Sequence, residues 1–323
     1  MIKNVLITGG AGYIGSHVSE TLVKNNKKII IVDDLSTGYK RLINKKAKFF
    51  KFNITNTKKL KSIIIKNKID SIIHLAAKLI IGEGEKKPKK YYKNNVLGSK
   101  SVLEAGKGTS VKNFIFSSTA AVYKDGLYKV TEKSPVRPKS IYGKTKLKAE
   151  NLIINFCKKE KINYGILRYF NIVGSSKSKK IGLINKGDHL FKNFSKEVFK
   201  KKPIFKIYGI NYKTKDGSCI RDFIHVSDIA EIHKKVLEKI NKINKSTILN
   251  CGYGKGNSVI QVALEFSKYA NKDFKIVKMK RRKGDLVKII AMNKKLKKFI
   301  IWIPKYNNLK IMVKSSLDWE KNQ

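Results

Sequence analysis

The chain has 323 residues, of which 41% are hydrophobic; this suits a globular protein with a large core and excludes a disordered chain. It contains no apolar run of about 18 residues, so a membrane-spanning helix is not expected. The formal net charge of +49 rests on 66 lysines and 6 arginines spread along the whole chain, which favours compositional bias on solvated surfaces over a nucleic-acid-binding stripe.

Three cysteines, Cys157, Cys219 and Cys251, lie far apart and show no C-x-x-C spacing. This arrangement predicts neither a disulfide framework nor a zinc site, and no metal site is expected. The first apolar segment begins at Ile2, which leaves no room for a signal peptide and predicts a cytoplasmic protein.

Residues 3–18 carry the pattern around which the rest of the chain is arranged. The apolar run VLI predicts a strand buried on both faces, and helical spacing resumes after a glycine-rich loop. In that loop Gly9, Gly12 and Gly15 follow the spacing G-x-x-G-x-x-G. Glycines so placed permit a tight turn whose backbone approaches a pyrophosphate closely. The segment therefore predicts a dinucleotide-binding loop.

A second strand is predicted at residues 28–32 and is followed by Asp33, whose carboxylate is suited to accept hydrogen bonds from ribose hydroxyls. An ordinary loop acid is the alternative interpretation of Asp33. Further strands are predicted at 49–52, 71–77, 113–118 and 164–168, and helices at 13–23, 56–67, 88–106 and 142–159. Such alternation predicts an α/β fold with a doubly wound parallel sheet.

The second half of the chain is less regular. A segment rich in Ser, Lys and Gly reads as a loop, and a helix at 226–237 and a strand at 247–251 are predicted. We therefore expect a dinucleotide-binding domain, residues 1–173, and a smaller mixed α/β substrate-binding lobe, residues 174–323. In an alternative assignment, segments such as 222–251 return to the first domain.

Tyr142 and Lys146 form a Y-x-x-x-K pair on a predicted helix. Residues four apart share a helical face, so the ammonium is expected near the phenol, where it would lower the tyrosine pKa as a general base requires. The chain has a second such pair, Tyr306 and Lys310, which follows a proline near the C-terminus and is expected at the surface. The context of the first pair favours it as the catalytic one.

Ser117 and Thr119 place hydroxyls at the end of a predicted strand, where a substrate sugar would lie. A strand-end turn that satisfies backbone groups is the alternative interpretation. His74 and His225 also follow apolar strands, and we interpret both as packed core histidines.

Arg221 and Arg282 occur in the motifs DGSCIRDFIHV and RRKGDL. A guanidinium matches phosphate oxygens with paired donors, so both arginines are candidates to bind a diphosphate. Surface pairing with Asp222 and Asp285 is the alternative.

Ten segments together resemble the UDP-glucose 4-epimerase family of extended short-chain dehydrogenase/reductases over nearly the whole chain. They are TGGAGYIGSH, IVDDLSTG, IIHLAA, YYKNNVLGS, NFIFSSTAAVY, SIYGKTKLKAE, LRYFNIVGS, DGSCIRDFIHVSDIA, LNCGYGKGNSV and RRKGDL. The segment SSTAAVY lacks the acidic pair that related sugar-nucleotide dehydratases carry at the Ala120-Ala121 position, which disfavours water elimination.

The resemblance implies a Rossmann domain with bound NAD and the interconversion of UDP-galactose and UDP-glucose. Tyr142 would take the proton of the sugar 4-hydroxyl while hydride leaves C4 for the nicotinamide; the 4-keto sugar would then rotate, and hydride would return to its other face. Epimerisation of a UDP-N-acetylhexosamine or a UDP-uronic acid is the alternative. A remote alternative is a nucleotide-binding protein with a basic surface that binds RNA or membrane. The resemblance also implies a homodimer, and neither a nucleic-acid nor a membrane partner is expected.

The resemblance further implies the following site residues. Catalysis would involve Tyr142, Lys146 and Thr119. NAD would be bound by Gly9, Gly12, Tyr13, Ile14, Gly15, Asp33, Asp34, Asn53, Ile54, Leu75, Ala76, Ala77, Asn94, Ser117, Tyr142, Lys146 and Phe170. The UDP-sugar would be bound by Thr119, Tyr142, Asn171, His189, Leu190, Tyr208, Arg221, Arg282 and Asp285.

The chain departs from the family pattern at several positions. At the position of Asn53 the family usually has an Asp that contacts the adenine amino group. The amide oxygen of Asn53 could still accept a hydrogen bond from that amino group. Lys124 replaces a usual Gly, and residues 184–190 lack the common proline-rich form. Ile289 matches a position that governs room for an N-acetyl group, and its intermediate size leaves activity on such sugars open.

Overall fold

The computed structural model describes residues 2–184, 189–282 and 285–323. The strands are β1 (Asn4–Thr8), β2 (Lys28–Asp33), β3 (Lys48–Lys51), β4 (Ser71–His74), β5 (Asn113–Thr119), β6 (Lys129–Val130), β7 (Asn163–Tyr169), β8 (Asn171–Val173), β9 (Ile204–Tyr208), β10 (Ile220–His225), β11 (Thr247–Cys251), β12 (Gly256–Ser258), β13 (Lys275–Met279) and β14 (Lys288–Ala291). The helices are α1 (Tyr13–Lys24), α2 (Thr57–Lys66), α3 (Ile81–Lys86), α4 (Pro88–Tyr92), α5 (Gly98–Gly106), α6 (Ile141–Lys159), α7 (Leu190–Val198), α8 (Val226–Ile243), α9 (Val259–Ala270), α10 (Lys294–Phe299) and α11 (Leu309–Lys321). Within these ranges, no helix is long and apolar enough to cross a bilayer.

Seven strands form the central sheet in the order β3-β2-β1-β4-β5-β7-β11, and every pairing is parallel. The strands near its middle are buried along their whole length, as in β4, because helices cover both faces. The predicted α/β fold with a doubly wound parallel sheet is confirmed. Since parallel strands share a direction, the residues that follow each of them meet at one edge of the sheet.

A smaller mixed sheet lies beyond the central one. Its strands run β12-β10-β14-β6, with β8 paired to β10, and β9 pairs separately with β13. The strand β11 leaves this second half and adds to the central sheet beside β7, with Thr247 opposite Gly165. The chain therefore crosses back after building part of the smaller sheet.

Most predicted elements are present, with three differences. The helix expected over 88–106 is divided by a π-helical turn, Lys93–Leu97, between α4 and α5. The strand expected over 71–77 ends at His74, and α8 runs on to Ile243 where Asn244 closes it in a left-handed conformation. The extra residue of a π turn leaves no mark in hydrophobic spacing, which explains why it was not predicted.

Close contact between β1 and α1 fixes the glycine loop. A Cβ built on Gly15 would lie 2.2 Å from the carbonyl oxygen of Gly9, a distance that real Cβ atoms do not adopt. Gly9 itself has a φ of +73°, and its amide donates to Val32 at the end of the neighbouring β2. The loop is thereby held against the sheet edge at the point where the first turn of α1 begins.

We expect Gly15→Ala to destabilise the protein by about 1–3 kcal/mol, because the new methyl group forces the β1–α1 loop away from α1. Gly82→Ala in α3 is the matched control, since nothing lies within 4 Å of a Cβ built there. Urea unfolding of both variants measures the effect. An unchanged midpoint for Gly15→Ala would contradict the close approach described here.

Candidate active site

The glycine loop offers backbone donors to an anion. Gly12 caps α1 without any side-chain acceptor for the amides of the first turn, so those amides point outward from the positive end of the helix dipole. The hydroxyl of Tyr13 donates to the carbonyl of Gly174 at 2.6 Å, which joins this loop to the chain that follows β8. The cradle fits the pyrophosphate of a dinucleotide.

Asp33 stands at the end of β2, beside the same loop. Its carboxylate accepts from the amide of Ala11 at 3.0 Å and from that of Leu35 at 2.8 Å. Burial raises the pKa of Asp33, while these amides and the charge of Lys78 act against that rise. The carboxylate is therefore oriented by the backbone, as an acceptor for ribose hydroxyls must be.

Asn53 is bonded to Asp34. Its side-chain nitrogen donates to the Asp34 carboxylate at 2.7 Å, and its oxygen accepts from the amide and hydroxyl of Thr55 at 3.0 and 2.9 Å. Burial alone would raise the pKa of Asp34, but hydrogen bonds from Ser36 and Asn53 and the charge of Lys78 outweigh it and lower the pKa. The amide oxygen expected to face adenine is thus engaged within its own loop.

Lys78 and Asn95 belong to this edge, although sequence reasoning did not identify them. The ammonium of Lys78 donates to the hydroxyl of Ser36 at 2.8 Å. Asn95, on the π turn, accepts from the Lys78 amide at 2.8 Å and donates to its carbonyl at 2.9 Å and to Thr145 of α6 at 3.1 Å. The π turn thereby ties the loop after β4 to the helix that carries Tyr142. The usable signal was the position of Lys78, directly after the strand predicted over 71–77 and four residues after β4 ends at His74.

The side chain of Thr119 lies beside the Tyr142 phenol and acts to lower its pKa. The Thr119 hydroxyl accepts from the amide of Ala121 at 3.1 Å, which orients it at the end of β5. The hydroxyl of Ser140 caps α6 by accepting from Gly143 at 3.1 Å, so the helix begins just before Tyr142.

Lys146 is 2% exposed and lies one turn further along α6. Its ammonium lies 3.5 Å from the Ser117 hydroxyl and 4.2 Å from the centre of the Phe116 ring. Burial lowers the pKa of Lys146 to about 7, against the opposing charge of Glu150. Burial likewise raises the pKa of Tyr142 to about 12, against the opposing effect of the Thr119 side chain. The expectation that Lys146 lowers the tyrosine pKa is therefore wrong in this structure, because desolvation dominates both groups.

A buried ion pair lies behind these groups. Arg168 of β7 donates to both carboxylate oxygens of Glu150 at 3.1 and 2.7 Å, and the two side chains are 5% and 1% exposed. Glu150 also accepts from the hydroxyl of Ser118, and Arg168 donates to the hydroxyl of Tyr123 at 3.1 Å. Tyr123 in turn donates to Asn250 of β11 at 2.6 Å. The network joins α6 to three strands of the central sheet.

Arg221, Arg282, Asp285 and Tyr208 gather at a second cluster on the smaller lobe. Arg221 and Asp285 form an ion pair, and the Arg282 guanidinium stacks 4.1 Å from the centre of the Tyr208 ring. The alternative of pairing with Asp222 and Asp285 is confirmed for Asp285, which pairs with Arg221, and is wrong for Asp222. The Asp222 carboxylate is buried and accepts from the backbone amides of Tyr253, Gly254 and Ala291. Two cations held by a carboxylate and an aromatic ring can bind a diphosphate.

A small apolar cluster joins the two sites. Ile289 pairs with Arg221 in the register of β14 and β10, and it packs in one cluster with Ala120, Val122 and Phe170. Ala120 follows Thr119 directly, so the arginine cluster and the Tyr142 site border the same core.

The other predicted site residues divide between the two sites and the core. Leu75, Ala76 and Ala77 follow β4; Ile54 is buried and accepts from Ser101 at 2.7 Å; Asn94 lies on the π turn; and Asn171 and Leu190 begin β8 and α7. Nε2 of His189 donates to the carbonyl of Ile172 at 2.8 Å, and its ring lies edge-on to Tyr13. Residues 185–188, within the segment 184–190 that lacks the family's proline-rich form, lie outside the described residues.

His74 and His225 are packed core histidines, as predicted. His74 is bonded on both sides, to Thr8 at 2.6 Å and to Ser99 at 2.9 Å, and burial lowers its pKa to about 3. The ring of Tyr306 stacks on His225 at 4.3 Å and is half-buried. Tyr306, expected at the surface, is thus partly exposed and partly packed.

A profile described as the NAD dependent epimerase/dehydratase family matches residues 5–252. The chain belongs to this family. The UDP-glucose 4-epimerase of Lactobacillus helveticus is 36% identical over 98% of this chain and 97% of that protein. The structure of a UDP-glucose-4-epimerase from Stenotrophomonas maltophila, with bound NAD and formylated UDP-arabinopyranose, superposes with a TM-score of 0.95 at 29% identity, over 99% and 98% of the two chains. That of a UDP-Glc/GlcNAc 4-epimerase from Campylobacter jejuni gives 0.86 at 36% identity, over 99% and 100%.

Burial of Lys146 lowers the stability of the folded protein, because the ammonium loses its contact with water. Lys146→Met should raise the melting temperature at pH 7, because the folded pKa lies at about 7 and the ordinary value is 10.5. Between these values the unfolded chain binds more protons, so the native protein gains stability as pH rises. The advantage of the variant should therefore shrink from pH 7 towards pH 10.5. Thermal melts across this range measure it, and a lower melting temperature for the variant at pH 7 would contradict the prediction.

Arg168→Met should destabilise the protein by about 3–5 kcal/mol, because it leaves the Glu150 carboxylate buried without a cation. The double variant Arg168→Met/Glu150→Leu should recover much of this loss, since neither charge then remains. Urea unfolding of the two single variants and the double variant gives the coupling energy. Additive effects would show that the two side chains do not interact.

Proposed function

We propose that the protein interconverts UDP-galactose and UDP-glucose by oxidation and re-reduction at C4 of the sugar. The observation that carries this proposal is the placement of Tyr142 beside Thr119, and of the Lys146 ammonium 3.5 Å from the Ser117 hydroxyl, at the sheet edge next to a dinucleotide cradle. The arginine cluster of Arg221, Arg282 and Asp285 borders the same core and supports a nucleoside diphosphate as the carrier of the sugar.

Each of the three catalytic residues has a distinct task in the proposed reaction. The Tyr142 oxygen takes the proton of the sugar 4-hydroxyl and returns a proton after the 4-keto sugar has turned. Thr119 lies beside that oxygen and would orient it, and Lys146 holds its ammonium 3.5 Å from the Ser117 hydroxyl. When bound, NAD would supply the hydride acceptor and donor for C4 of the sugar, and its nicotinamide charge would lower the high pKa of Tyr142.

The residues that would hold NAD are those of the sheet edge. The amides at the start of α1 would bind the pyrophosphate and Asp33 the adenosine ribose, with Asp34, Asn53 and Lys78 beside the adenine. The remaining residues of this set are Gly9, Gly12, Tyr13, Ile14, Gly15, Ile54, Leu75, Ala76, Ala77, Asn94, Ser117, Tyr142, Lys146 and Phe170.

The arginine cluster would anchor UDP throughout turnover. Arg221 and Arg282 would exchange their present partners for diphosphate oxygens, since charge-assisted bonds to phosphate are strong and bidentate. Asn171, His189, Leu190, Tyr208 and Asp285 complete the proposed UDP-sugar site. A firm grip on UDP leaves the sugar free to present either face to the same Tyr142.

Several further properties are proposed together with this reaction. They are an NAD-binding domain at residues 1–173, a UDP-sugar lobe at 174–323, a homodimer, a cytoplasmic location and a place in galactose metabolism. The pairing of β11 with β7 supports the return of segment 222–251 to the first domain.

A second candidate is epimerisation of an N-acetylated UDP-sugar. Ile289 is 7% exposed and in register with Arg221, which puts a side chain of intermediate size beside the proposed diphosphate site. The Campylobacter jejuni relative, named as a UDP-Glc/GlcNAc 4-epimerase, supports the same candidate. UDP-N-acetylglucosamine offered in parallel with UDP-galactose distinguishes the two, and UDP-uronic acids form a third arm.

Purified protein incubated with UDP-galactose and no added NAD should form UDP-glucose and settle to one ratio from either direction. Proton NMR of the anomeric region follows the conversion. If conversion appears only after NAD is added, the activity stands and the cofactor is weakly retained. If none of the three classes of UDP-sugar is converted with NAD present, the proposed function is refuted.

Tyr142→Phe should lower turnover by about 10²–10⁴-fold, because it removes the group that exchanges the proton. Tyr306→Phe is the matched control: it belongs to the second Y-x-x-x-K pair, and its stacking on His225 survives the change. Both variants should keep the same melting temperature. Equal turnover in the two would refute the role of Tyr142.

A further inference from the structure

Two isoleucines that follow α10 are exposed to solvent. Ile301 and Ile303 are 88% and 79% exposed, more than any other large apolar side chain among the described residues. They alternate with Ile300 and Trp302, which are 4% and 5% exposed. The segment is therefore extended, and both exposed side chains project from the same side of it.

The segment that carries these isoleucines is fixed to the protein. The Trp302 ring stacks on Tyr253 at 6.2 Å, and the ammonium of Lys235 donates to the Ile301 carbonyl at 2.8 Å. The carboxylate of Asp228 accepts from two backbone amides just beyond, at 3.1 and 3.0 Å. Because the backbone is held in this way, the two isoleucines cannot fold back onto the core.

Exposed lysines flank the two isoleucines in the sequence. The helix α10 buries Leu296 and exposes four lysines, Lys294, Lys295, Lys297 and Lys298. Residues 286–317 contain eight lysines and no aspartate or glutamate. We call Ile301, Ile303 and the four lysines of α10 the isoleucine patch.

We propose that the isoleucine patch binds the surface of an anionic lipid bilayer. Protruding apolar side chains within a basic surround match a layer that has negative headgroups above an apolar interior. A second copy of the chain would bring its own lysines against these, and a nucleic acid offers phosphates without an apolar layer. The contact is peripheral, and it revises the expectation that a membrane is not a partner.

Binding to vesicles tests this surface directly. Sedimentation with vesicles of phosphatidylglycerol and phosphatidylcholine in equal parts should retain the protein, and vesicles of phosphatidylcholine alone should not. Ile301→Ser/Ile303→Ser should weaken binding by about tenfold or more, because the inserted apolar groups are lost. Ile65→Ser/Leu264→Ser is the matched control, since these side chains are 57% and 56% exposed elsewhere.

The outcomes separate the occupants of the patch. Weakened binding in the patch variant alone, with an unchanged melting temperature and unchanged sugar conversion, supports the proposal. Equal binding by the patch variant and the control would mean that lysines anywhere on the surface bind lipid, which overturns it. Absence of binding to anionic vesicles also overturns it, as would a patch variant whose only change is its oligomeric state. The vesicle-binding results do not depend on the proposed epimerase reaction, and sugar conversion serves only as a check that the patch variant is folded like the unchanged protein.

Discussion

The ion pair between Glu150 and Arg168 is the constraint on which the Tyr142 site depends. It lies one helical turn behind Lys146 and binds Ser118, the residue between the two strand-end hydroxyls of the site. Taking two charges out of water is unfavourable unless both are well bonded, and here each has several partners. The relative position of α6 and β5, and with it the distance between Tyr142 and Thr119, is thus set by a network that tolerates little displacement.

Burial governs the chemistry of this region more than charge pairing does. Lys146 and Tyr142 have pKa values displaced in the directions that disfavour their charged forms, to about 7 and about 12. A desolvated pair of this kind responds strongly to any charge brought beside it, because little water screens the interaction. The site is therefore arranged to change its protonation when a charged ligand enters, at some expense in stability of the empty protein.

The features of this protein that could be predicted are those that depend on local sequence patterns. The run VLI, the glycine spacing and Asp33 were enough to place β1, the loop and β2, because each depends on residues close in sequence. The π turn, Lys78 and the Arg168–Glu150 pair were not found in this way, since they arise from contacts between segments far apart. The wrong pKa direction for Tyr142 has the same origin: the Y-x-x-x-K spacing fixes which residues are neighbours, whereas burial depends on the whole fold.

The return of β11 to the central sheet has a consequence for how the protein is made. While a ribosome synthesises the chain from its N-terminus, β7 stays at the edge of the sheet until the segment Thr247–Cys251 has emerged. An uncovered parallel edge presents unpaired backbone groups that attract other strands. The central sheet therefore lacks its last strand until that segment has been made, and only then is β7 paired on both sides.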